Sequence, residues 1–188
     1  MRKGSSKMDQ KLVEEIRKMP NDVDNISKIT EKIINDLKSK RYPIPIVSIM
    51  KKLDFIVGKQ KLEDDLSGYI VINDEIEKKF GKKKMICVNS NDSWGHQRFT
   101  IAHELAHYLF DYNTKKPEFY NTYRTTDVNN DIEIRANKFA ANLLMPEKEF
   151  EQQYNKYYND IDLYAKLEEY FQVSRRAIDR RIIELGLN

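Results

Sequence analysis

The chain has 188 residues, 40% of them hydrophobic and 34% charged, with a formal net charge of +3. That length fits one domain with a proper core, and the near-cancelling charge argues against a strongly basic nucleic-acid reader. A single cysteine, Cys87, set in the apolar run Met85-Ile86-Cys87-Val88, excludes an intrachain disulfide scaffold and suits a reducing compartment. No apolar run approaches bilayer length and no apolar stretch follows the basic N-terminus, so the expectation is a cytoplasmic protein without membrane contact.

In chain order, residues 8–19 and 23–40 read as helices, the second carrying Ile26, Ile29, Ile33, Ile34 and Leu37 at helical spacing. Pro43 and Pro45 punctuate the chain before a short amphipathic helix at 46–53. Apolar, partly β-branched runs at 55–57, 69–72 and 85–88 predict three strands in a small antiparallel sheet. Asp92 or Ser93 is placed to cap the helix that follows Trp94. Residues 111–130 form a long polar linker rich in aromatics, Tyr112, Phe119, Tyr120 and Tyr123, which reads as a loop able to gate a cleft or bind an extended peptide. A helix begins near Asp131 and ends at Pro146, and the remainder reads as helical, closing with a pair whose second member is capped by Ser174. That pair resembles a helix-turn-helix, but two packed amphipathic helices are a common way to finish such a domain, and Asp179 and Glu184 offset part of its arginine charge.

The chemistry concentrates in Thr100-Ile101-Ala102-His103-Glu104-Leu105-Ala106-His107, where two of only three histidines fall in an H-E-x-x-H pentad. Positions i and i+4 of a helix share a face, so His103 and His107 can offer two imidazole nitrogens to one zinc ion. Glu104 is turned aside from that pair and suits a base acting on water. No third histidine follows at metzincin spacing, and Asp111, about 12 Å along the helix axis from His103, is too far to share its ion. Glu133 is the better third ligand: it opens a helix whose Ala136, Ala140 and Ala141 permit close approach. Asn137, four residues on, is placed to hold a ligand imidazole by its other nitrogen. His96, at the start of the first helix, and Tyr120 and Tyr123 in the linker are weaker candidates for contacts to a substrate or oxyanion.

These residues resemble a known family, the ImmA/IrrE zinc metallopeptidases. The likeness rests on Arg98-Phe99-Thr100, the pentad, and the run from Glu133 through Ala136-Asn137, Phe139-Ala140 and Leu143-Leu144-Met145-Pro146. It extends outward from about Ile26 to the C-terminus. Residues 1–25 form an extension outside it, 26–150 a metallopeptidase domain, and 151–188 a C-terminal helical hairpin. The resemblance implies a predominantly helical α+β, zincin-like fold. It also implies one zinc per chain on His103, His107 and Glu133, with Glu104 as catalytic base. The implied activity is that of a site-specific endopeptidase that inactivates a helix-turn-helix transcriptional repressor encoded nearby. Arg135 departs from the family pattern, which often has a second acidic residue there, and is expected to alter surface charge only. The alternative function is a metal-binding regulatory or toxin–antitoxin module that binds a repressor without cutting it. The free coordination position that a base implies argues against it, because structural zinc is normally closed by four protein ligands.

Overall fold

Helices form in the N-terminal third where apolar residues recur at helical spacing. In this computed structural model, which describes residues 10–36, 41–113, 115–116, 118–124 and 130–187, α1 (Gln10–Arg17) buries Leu12, Val13 and Ile16. After a single 3-10 turn at Val23–Asn25, α2 (Ile26–Asp36) buries Ile26, Ile29, Ile33 and Ile34. Each such isoleucine contributes roughly 1.5–3 kcal/mol of burial. Leu37 and the predicted helix ends at 8–9 and 37–40 lie outside the described residues. α3 (Ile46–Lys52) follows Pro45, whose backbone carbonyl accepts from Ser48 and Ile49.

The sheet departs from expectation in both strand number and direction. β1 (Phe55–Gln60) and β2 (Leu66–Ile72) do not pair with each other. Their five-residue connection is too long for a two-residue hairpin turn, and the chain returns through α4 (Asp74–Phe80), capped by Asn73 and stopped by Gly81, to place β3 (Lys84–Asn89) between them. β3 therefore runs parallel to β1 and antiparallel to β2. The fourth strand comes from the segment read as a loop: β4 (Phe119–Arg124) pairs antiparallel with the free edge of β2. The result is a four-stranded mixed sheet of order β1-β3-β2-β4 in place of a three-stranded antiparallel one. The strand propensity of Phe119, Tyr120, Thr122 and Tyr123 was the available signal, offset by the polarity of the surrounding segment.

α5 (Trp94–Phe110) is the central helix, with 12 of its 17 residues buried. It packs on β2, β3 and β4, on α1 and α3, and most extensively on α6 (Asp131–Leu144). Ala136 and Ala140 of α6, 1% and 0% exposed, give the close approach between the two helices. α7 (Glu147–Tyr157), α8 (Leu163–Phe171) and α9 (Arg175–Glu184) complete the chain, the last capped by Ser174. Gly95 lies so close to the α8–α9 connection that a Cβ there would fall 2.5 Å from the Val173 carbonyl carbon. No helix among the described residues is long and apolar enough to cross a membrane.

Candidate metal centre

α5 and α6 bring three donors together. Ser93 caps α5 by accepting from the His96 amide, and Asn130 caps α6 by accepting from the Glu133 amide. These caps fix the starts of two helices whose interiors then set His103, His107 and Glu133 face to face. His103 Nε2 lies 3.0 Å from His107 Nε2 and 3.0 Å from Glu133 Oε2, and His107 Nε2 is 3.3 Å from Glu133 Oε1. Tetrahedral zinc with bonds near 2.1 Å requires ligand atoms about 3.4 Å apart, so the three donors fit that ion. All three residues are buried.

The other ring nitrogens are engaged. His103 Nδ1 sits 3.1 Å from Asn137 Oδ1, and His107 Nδ1 sits 2.8 Å from Asp111 Oδ2. An Nδ1–H donated to each oxygen leaves both Nε2 lone pairs aimed into the cluster. Asp111 is in turn paired with Arg135, whose guanidinium stands 5.2 Å from the Phe110 ring centre. Arg135 is therefore not a surface substitution: it anchors the carboxylate that orients His107. Asp111 is the C-cap of α5 and its carboxylate engages His107 Nδ1, away from the three convergent donors; the sequence pointed to the helix end but not to this bond. The i+4 spacing from His107 was the available signal.

Glu104 is fully buried and neither carboxylate oxygen has a hydrogen-bond partner. Burial pushes its carboxyl up to about 8, against the pull of His107 and Asn121. Asn121, on β4, points an equally unpartnered amide nitrogen into this region and belongs to the part of the site that was read as a loop. For Glu133 burial acts upward, but the hydrogen bonds and charges of His103 and His107 outweigh it and hold the group at about 2. For His107 burial acts downward, and the carboxylates of Asp111, Glu133 and Glu104 reverse it, to about 9. His103 is lowered by burial. An apolar pocket with paired opposite charges and one orphaned carboxylate costs free energy that a bound cation would offset.

The weaker candidates separate. Tyr123 is 6% exposed and its ring lies 4.0 Å from that of His103. His96 bonds Ser67 Oγ at 2.8 Å, lies 6.3 Å from the Tyr123 ring and has its pKa lowered by burial, against the pull of Asp92. Tyr120 points elsewhere: it is 63% exposed and neighbours Tyr69.

A mostly helical α+β domain in which two helices present three buried donors able to hold a metal defines a metallopeptidase-like class. The chain belongs to the IrrE N-terminal-like domain family, Peptidase M78, whose model matches residues 57–182, as the two motifs led us to expect. Its fold is similar to that of a Mycobacterium tuberculosis transcriptional regulator, with a TM-score of 0.57 at 18% identity over 91% of this chain and 51% of the other. The chain thus spans about half the length of that protein. A comparison with curated proteins returned no match.

Proposed function

We propose that the chain is a zinc-dependent, site-specific endopeptidase acting in the cytoplasm on a helix-turn-helix transcriptional repressor, with residues 26–150 as its catalytic part. The observation that carries the peptidase reading is Glu104: a buried carboxylate without a partner, beside three convergent donors. A structural metal site has no use for such a group. One zinc ion on His103, His107 and Glu133 would supply Lewis acidity and an acidified water.

The chain's own residues do the rest. In its ionised form Glu104 takes the proton of an attacking water and then, as the acid, returns it to the leaving amine; a proton affinity near neutrality suits both steps. Asn137 and Asp111 keep both imidazoles in the required tautomer. Asn121 and Tyr123 on β4 wall the site and steady the reacting groups. The family membership supports peptide hydrolysis, and the repressor as substrate rests on the motif resemblance and on a regulator's sharing the fold.

The test is co-expression with a helix-turn-helix repressor encoded beside this chain, following the repressor's mass with wild type and with Glu104→Gln. Fragments with wild type alone are expected. An intact repressor that copurifies with both proteins would favour the non-cutting module.

A further inference from the structure

On the His103 side of the metal centre a cavity of about 420 Å³ opens between α5, α6 and α9. It adjoins the metal centre, because it is lined by Tyr123, whose ring lies 4.0 Å from that of His103, and by Asn137, bonded to His103. Its remaining wall is largely apolar, from Phe99, Ile134, Ala141 and Ala177. Its rim is cationic, and the arginines of α9 differ in what they do there. Arg175 is committed to the Tyr164 ring, 3.9 Å away. Arg181 is buried and bonded to the Met145 carbonyl, Asn142 and Glu184, which also engages the one carboxylate that lines the cavity among the described residues.

Arg176 and Arg180 are left. They line the cavity, stand four residues apart on one helical face, and have no ion pair or hydrogen bond among the described residues. Like charges at that spacing disfavour the helix that carries them, so their placement is not explained by stability. Planar guanidinium groups at the mouth of an apolar concavity match a carboxylate attached to an apolar segment. A phosphate backbone would leave the apolar wall without a partner, which makes a peptide the better fit than nucleic acid.

We propose that this cavity is a substrate subsite that receives an apolar side chain of the peptide and that Arg176 and Arg180 bind the carboxylate of an adjacent aspartate or glutamate. The proposal rests on the peptidase reading and adds its sequence preference: acidic and apolar residues side by side next to the scissile bond. Both arginines are specificity residues and touch no reacting atom.

The test uses fluorescein-labelled octapeptides with a central leucine flanked by Asp/Glu or, in the matched set, by Asn/Gln. Binding to zinc-loaded Glu104→Gln protein is read by fluorescence anisotropy at low salt, and cleavage by zinc-loaded wild type is followed in parallel by mass spectrometry. Acidic peptides are expected to bind about tenfold more tightly than their amide counterparts, and Arg176→Gln/Arg180→Gln, with an unchanged melting curve, should erase the difference. Equal affinities for the two sets, or a preference that survives the double substitution, would overturn the subsite. So would arginine-dependent binding of a duplex DNA oligonucleotide in place of the acidic peptides. Acid-selective binding with no cleavage of any peptide would instead sink the peptidase reading and leave the subsite standing. Cleavage without acid preference would do the reverse.

Discussion

Replacing Glu104 by glutamine separates the chemistry of the site from its cost to the fold. The carboxyl titrates at about 8 in the folded chain against an ordinary value of 4.5. A raised carboxylate means that the folded protein holds a proton the unfolded chain has already lost. Stability therefore falls as pH rises from about 4.5 toward about 8, by about 1.4 kcal/mol per pH unit. At pH 7 the burden is about 3 kcal/mol, a large share of a domain's total. Glutamine keeps the shape and never ionises. Stripped of metal with EDTA, Glu104→Gln should match wild type near pH 4.5 and exceed it by about 3 kcal/mol at pH 7. Part of that gain is returned through His107, whose imidazolium loses the attraction of Glu104. Urea denaturation of both stripped proteins between pH 4.5 and 8 measures the gap. A gap that does not change with pH would refute the claim that burial of this carboxylate carries the cost. Turnover should vanish in the same variant while zinc is retained.

Further outcomes follow from the surrounding contacts. Asp111→Asn should weaken zinc binding by about 10–100-fold, as should Arg135→Ala to a smaller extent, measured by competition with a chromophoric chelator; affinity equal to wild type in Asp111→Asn would remove Asp111 from the metal centre. Because His107 is raised to about 9, its stabilising charge is present below its ordinary pKa of 6.5 and is lost as pH rises through about 9, so zinc binding at pH 7 must expel that proton. Calorimetry in buffers of different ionisation enthalpy should register about one to two protons released per zinc, the first from His107 and the second from Glu104, which burial holds protonated at pH 7 in the stripped protein. Gly95→Ala forces a Cβ into the Val173–Ser174 backbone and should lower stability by roughly 1–3 kcal/mol, read as a fall in Tm. An unchanged Tm would show that the α8–α9 connection yields freely.

The helical elements and the donors could be read from the chain because their causes are local. His103, Glu104 and His107 share one helix, so their spacing alone fixes which side chains meet. Ser93 and Ser174 mark helix starts by side-chain chemistry a few residues long. The isoleucines of α2 declare their buried face by period. What the tertiary structure alone decided depends on pairings across long separations. β3 enters between β1 and β2, and β4 joins the free edge of β2, because backbone groups at an open edge seek partners wherever the chain supplies them. That pairing carries Asn121 and Tyr123 into the metal centre from a stretch whose polarity reads as a loop. Arg135 became the anchor of Asp111, not a surface charge, only when α6 was laid against the end of α5. Local periodicity says which face of an element is buried; only the packed fold says which side chain from elsewhere will meet it.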